Sequence, residues 1–218
     1  MVAKELIDSN IPVLKQTDNV DRALQLMSEC KNTHLPYLHN EIFSGFFSED
    51  FLLNYDYDTL LEEIRPEMVE LKIDSNLPIL ELIKLFSRTV FELLPVFDSA
   101  ELFLGVVEKK EVNERFIETL ALNDNGGIIE INLHNKEYSL TEISKIVEYE
   151  YAKIISLFLS YDSQNQMHLT LKLDIAQISG VVNSLERYGY EVASYFASEP
   201  VTNIEKDRYD LLMKYLSI

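Results

Sequence analysis

The feature that most restricts this chain is that its first half carries one pattern twice. Displacing the sequence by 59 positions lays Val20, Ala23, Leu24 and Met27 on Ile79, Leu82, Ile83 and Phe86. Both sets run at i, i+3, i+4 and i+7, the apolar stripe of an amphipathic helix. The same displacement puts Leu35-Pro36 on Leu94-Pro95 and Tyr37-Leu38 on Val96-Phe97. Gly45 then meets Gly105 at a displacement of 60, so one residue has entered the turn between, where insertions cost little. Helix starts are expected at Thr17-Asp18, which offer N-cap oxygens, and at Asn76, with Pro78 just inside the helix. Each copy reads as strand, helix, strand, tight turn, strand, helix.

A tandem of units about 60 residues long, carrying LPYLHNEIFSGFF and LPVFDSAELFLGVV at matching places, resembles a pair of CBS domains, a Bateman module. The resemblance sets the repeats at residues 1–60 and 61–120. It implies a pseudo-twofold disc whose clefts between repeats bind adenosyl compounds such as AMP, ATP or S-adenosylmethionine. In that family the Gly-containing strand is commonly followed by Ser or Thr, with an Asp three residues later that accepts hydrogen bonds from a ribose. The chemistry is sound: a ribose diol presents two donors, a carboxylate accepts, and a helix N-terminus offers free N–H groups to a phosphate.

In the first copy Ser48 holds the hydroxyl place and Phe51 the Asp place, while Asp50 comes one residue early, about 100° around a helix. In the second copy Glu108 holds the hydroxyl place and Glu111 the Asp place, with Lys109 and Lys110 between them to favour a phosphate. The ligand residues implied by the resemblance are therefore Ser48, Asp50, Lys109, Lys110 and Glu111. Read without it, Ser48-Glu49-Asp50 is an ordinary helix start, Lys109 to Glu111 a solvated helix face, and Gly45 and Gly105 close-packing positions in strands.

After residue 120 the texture changes. Residues 121–127, ending Asn-Asp-Asn-Gly-Gly, read as a linker. Then come IIEINL (128–133), SLTEISKIVEYEYA (139–152), KIISLFLSYD (153–162), MHLTLKLD (167–174), IAQISGVVNSLERYGY (175–190) and EVASYFAS (191–198). Leu169, Leu171 and Leu173 alternate with Thr170 and Lys172, the period of a half-buried strand. Leu140, Ile143, Ile146 and Val147, and likewise Ile178, Val181, Val182 and Leu185, recur at helical spacing.

The expected order is a ferredoxin-like βαββαβ over residues 128–198, within an α/β (α+β) chain. With LERYGYEV closing the second helix into the last strand, it resembles the ACT family. Amino-acid-binding members usually present a Gly after the first strand. The loop here, His134-Asn135-Lys136-Glu137-Tyr138, has none, so the resemblance implies pairing with another copy rather than amino-acid binding. Residues 203–218 put Tyr209, Leu212, Met213 and Leu216 on one face of an expected C-terminal helix. The order of modules is similar to that of acetoin-utilisation-type regulators.

Charge excludes some partners. The net charge is −18, with no run of Lys and Arg longer than Lys109-Lys110, so neither a nucleic-acid backbone nor an anionic membrane surface would be attracted. No apolar run reaches the roughly 18–20 residues of a bilayer span, the N-terminus lacks a basic-then-apolar leader, and Cys30 stands alone. A cytoplasmic protein is expected. The histidines His34, His39, His134 and His168 are scattered, no nucleophile or phosphate-loop motif occurs, and Glu62-Glu63 and Glu148-x-Glu150 read as exposed helix faces. Neither catalysis nor a metal is expected. The expectation is a homodimeric regulatory protein that senses an adenosyl ligand, possible cofactors being an adenine nucleotide or S-adenosylmethionine, and so alters its dimer or its contact with a protein target. The alternative is a ligand-independent dimerisation scaffold with degenerate sites.

Overall fold

The computed structural model describes residues 1–67, 71–133 and 138–197. The chain divides into two compact units, Met1–Phe116 and Ile117–Ile218.

The first unit contains two copies of one arrangement: β1 (Leu14–Lys15), α1 (Val20–Cys30), β2 (His34–His39), β3 (Ile42–Ser48) and the short α2 (Glu49–Leu52), then β4 (Ile73–Asp74), α3 (Ile79–Phe86), β5 (Leu93–Phe97), β6 (Phe103–Glu108) and α4 (Lys109–Thr119). Each set of strands forms its own sheet, β1-β2-β3 and β4-β5-β6, with the first pair parallel and the second antiparallel. The repeat holds at the level of register: Leu14 pairs with Tyr37 and Ile73 with Val96, and both antiparallel ladders slip just after Tyr37 or Val96, the residues opposite Gly45 and Gly105. The helix stripes bury Val20, Ala23 and Met27 in one core and Ile79, Leu82 and Phe86 in the other.

The repeats are interlaced. Residues 1–8 join the second copy: the Ala3 N–H donates to the Leu77 carbonyl, the Asp8 N–H donates to the Val106 carbonyl, and Ala3 and Leu6 lie in the core with Ile73 and Val107. Residues 57–67 join the first copy: the Val20 N–H donates to Thr59, Phe46 and Glu67 exchange a pair of backbone bonds of 2.9 and 2.8 Å, and Leu61 and Ile64 lie in the core with Leu14 and Phe47. The glycines mark the crossings. At Gly45 a Cβ would collide with the Glu67 carbonyl, and at Gly105 it would stand 2.5 Å from the Ile7 Cγ2; their φ angles, +138° and +146°, also favour glycine.

Both helix caps differ from expectation. The α1 cap is Asn19, whose Oδ1 accepts from the Arg22 N–H, because the Asp18 carboxylate is turned back to the Lys15 N–H. In the second copy Asp74 accepts the Asn76 N–H in a tight turn, and Pro78 occupies the cap position with no side-chain bond.

In the second unit β7 (Ile128–Leu133), α5 (Leu140–Tyr149), β8 (Ile154–Tyr161), β9 (Met167–Leu173), α6 (Ser179–Arg187) and β10 (Glu191–Phe196) follow in the expected order. The sheet runs β10-β7-β9-β8, antiparallel throughout. Its core sets Ile129, Ile131, Leu169 and Leu171 against Ile143, Val147, Val181 and Leu185. Leu140, expected in the α5 stripe, is exposed at the first turn. Lys172, on the other face of β9, is buried: its ammonium donates to the carbonyls of Asp124 (2.9 Å) and Gly126 (3.1 Å). The segment read as a linker thus lies hydrogen-bonded along this sheet, and Ser156 donates to the Leu120 carbonyl there too. Residues 134–137 of the expected loop and the helix expected over residues 203–218 lie outside the described residues.

Candidate functional site

The two helix starts after the glycine strands are not alike. In the first copy Ser48 ends β3 in extended conformation at the cap position of α2, is buried, and makes no capping bond. Asp50 is exposed in the first turn. Phe51, in the place where a ribose acceptor would stand, packs at 6.3 Å from the Phe47 ring and 5.4 Å from the Tyr55 ring, extending the apolar core.

In the second copy Lys109, Lys110 and Glu111 form the first turn of α4. Each is engaged: Lys109 with Glu92 at 3.3 Å, Lys110 with Glu114 at 4.0 Å, and Glu111 with Arg115 at 2.7 Å. The fold brings these three together and leaves Ser48 and Asp50 on the other repeat.

Beside the same strand end, a cleft of about 370 Å³ is lined by Asp8, Asn10, Ile11, Pro12, Leu26, Glu29, Cys30, Asn32 and Glu108. The crossing strap builds it. Antiparallel pairing of Ile7 with Val107 sets Asp8 against Val106 at the edge of β6, where it lines the cleft with Glu108, and the Asp8 Oδ1 accepts the backbone and side-chain N–H groups of Asn10 at 2.8 and 3.0 Å, fixing the turn. The C-terminal end of α1 supplies Glu29 and Cys30 from the opposite side. Burial, and then the charge of Asp8, push the Glu108 carboxyl above its ordinary value, and burial pushes the Cys30 thiol up.

The lining is thus acceptor-rich and anionic over an apolar floor, fitted to groups that bring hydrogen-bond donors or positive charge. Of these residues the sequence marks Glu108 alone, as a departure from the family pattern. Asp8, Asn10, Glu29 and Asn32 carry no such mark, because the cleft depends on a pairing between residues 7 and 107 that no local spacing signals.

Neither a protein-family model nor a curated protein matches the chain. Among solved structures, a CBS domain pair/ACT domain protein from Thermotoga maritima is similar at 21% identity over 56% of this chain and 100% of that one, with a TM-score of 0.50. The CBS domains of a transcriptional regulator from Streptococcus pneumoniae match at 19% identity over 52% and 98%, TM-score 0.48. CBSX2, a CBS-pair protein of Arabidopsis thaliana solved in complex with AMP, matches at 23% over 54% and 96%, TM-score 0.47. No helix among the described residues is long and apolar enough to cross a membrane. With its duplicated strand, helix and hairpin and the four-stranded sheet that follows, this chain has the fold of a CBS-domain pair joined to an ACT-like unit of ferredoxin type.

Proposed function

We propose that the first unit is a non-catalytic sensor of an adenosyl ligand, and that binding changes how the protein's copies or its partner are arranged. The observation that carries this reading is the cleft beside the end of β6, where Asp8 and Glu108 offer acceptors to a ribose diol over Ile11, Pro12 and Leu26. Its charge ranks the class. A phosphate charge about 4 Å from one carboxylate is repelled by roughly 4 kcal/mol at the effective dielectric of a protein surface, before salt screening. Three carboxylates and no cation are in the described lining, so S-adenosylmethionine, a sulfonium cation, fits better than AMP or ATP.

Lys109, Lys110 and Glu111 on the helix that follows, with Ser48 and Asp50 on the other repeat, are the further contacts of this proposal. The second-copy residues would exchange exposed ion pairs, each worth under about 1 kcal/mol, for ligand. The ligand shifts the arrangement only by its difference in affinity for the two states.

The test is the melting temperature of the full chain alone and with S-adenosylmethionine, adenosine, AMP, ADP and ATP. A ligand at 100 times its dissociation constant adds about 2.7 kcal/mol to the native state. A shift with S-adenosylmethionine that is lost in Asp8→Asn supports the reading, and no shift with any of these at millimolar concentration overturns it. A second reading, a dimerisation scaffold with lapsed sites, is favoured by one observation: Phe51 fills the ribose place of the first copy with a packed ring. That reading gains if all five compounds fail.

A further inference from the structure

A larger groove lies elsewhere, in the second unit. A groove of about 950 Å³ runs between α5 and α6, lined by Ser139, Thr141, Glu142, Lys145, Ile146, Tyr149, Ser184, Arg187 and Tyr188. That volume is in the range of small-molecule sites, roughly 300–1,000 Å³. Its lining sets two cations, Lys145 and Arg187, against one carboxylate, Glu142, a net positive charge where the cleft of the first unit is anionic. In a chain of net charge −18, two cations meet here, and among the described residues neither Lys145 nor Arg187 forms an ion pair.

The two carboxylates at this end each accept a hydrogen bond from a protein hydroxyl rather than pairing with the cations. The Tyr190 hydroxyl donates to the Glu142 Oε2 at 2.6 Å, and the Ser184 hydroxyl donates to the Glu150 carboxylate. Ser184, 4% exposed, accepts from the Arg187 guanidinium at 2.8 Å. A buried hydroxyl, itself oriented by Glu150, therefore holds one edge of the guanidinium and leaves its other donors for a ligand, which lowers the ordering cost of binding. Tyr149 and Tyr188, 81% and 62% exposed, add two ring faces, which stack on planar groups at small entropic cost.

We propose that the groove between α5 and α6 binds a small organic anion with a planar ring, its phosphate or carboxylate held by Arg187 and Lys145 and its ring by Tyr149 and Tyr188. The proposal does not depend on the adenosyl cleft, with which it shares no residue.

The experiment is a titration of the isotope-labelled full chain, followed by amide chemical shifts, with phenyl phosphate, phenylacetate, inorganic phosphate and benzyl alcohol. The expected result is saturable shifts centred on α5 and α6 with phenyl phosphate, phenylacetate or both, and weaker binding of inorganic phosphate. Whichever ring anion binds more tightly identifies the acid group. Arg187→Gln and Lys145→Gln, both exposed and so expected to leave the spectrum of the fold in place, should each weaken binding about tenfold or more, the worth of a charge-assisted contact. Equal affinity for benzyl alcohol, equal affinity of both variants, or no saturable shift at millimolar concentration would overturn the proposal.

Discussion

Alanine at the two repeat glycines should have unequal effects, and the inequality can be worked out from what each Cβ meets. Both substitutions place a side chain at a positive φ, +138° at Gly45 and +146° at Gly105, which costs roughly 1–3 kcal/mol in either case and nearly cancels between them. What remains is the obstacle. At Gly45 it is backbone, the carbonyl of Glu67, and clearing it means parting the strap from β3 and losing the two bonds between Phe46 and Glu67. At about 1 kcal/mol net per bond, that adds about 2 kcal/mol. At Gly105 the obstacle is side chain, the γ2 branch methyl of Ile7 at 2.5 Å, which a change of χ1 or a small shift of Ile7 clears at some cost but without breaking a backbone bond.

Gly45→Ala should therefore melt lower than Gly105→Ala by roughly 6–12 °C, taking several degrees per kcal/mol for a unit of this size. Calorimetry of the full-length variants measures this directly. Adding Ile7→Ala to Gly105→Ala should restore part of the loss, seen as a positive coupling in the double-mutant cycle. If Gly105→Ala is as damaging as Gly45→Ala, or if the Ile7 cycle is additive, the account of these crossings is wrong.

Lys172→Met should cost about 1–3 kcal/mol in urea unfolding, since the carbonyls of Asp124 and Gly126 lose their donor inside the protein. Glu108→Gln should stabilise the protein at neutral pH by less than about 1 kcal/mol, because the group is partly open to water. The sign follows from its raised folded-state value: the folded form holds its proton better than the unfolded one, so stability falls as pH rises through the window between the ordinary carboxylate value and the raised one. The advantage of the Gln variant should accordingly vanish below that window; an advantage that persists at acid pH would refute the cause. Asn19→Ala should cost about 1 kcal/mol by urea titration, whereas Asn76→Ala, whose exposed side chain accepts from the Lys4 ammonium at 3.3 Å, should change stability by under about 0.5 kcal/mol.

Local periodicity carried the elements of this fold well. The 59-residue displacement that aligned Val20 with Ile79 also aligns strand registers, since register in each copy depends on the same alternation and the same glycine. The six segments of the second unit fall where apolar spacing puts them. The misses are of two kinds: local competition for a side chain at the helix starts, and contacts between residues far apart in the chain. Lys172 alternates correctly for an outward position, yet is buried by carbonyls nearly fifty residues earlier. Asp18 has the chemistry of a cap, but the turn before it takes its carboxylate. The cleft is not legible in the sequence because Asp8 and Glu108 belong to different repeats in the chain and to one edge in space.

The interlaced leading segments have a consequence for how such a chain can be divided. Cutting between residues 60 and 61 would not release two domains. It would leave the first piece without Leu61 and Ile64, and the second without Ala3 and Leu6, so each would expose an unfilled slot in its core. Two separated halves mixed in solution could recover the native state only by trading segments, as the arms of a swapped dimer do. Complementation of the two fragments, with each alone disordered, is the behaviour this topology requires, and it makes the two repeats together, rather than the single repeat, the folding unit of the first half of the chain.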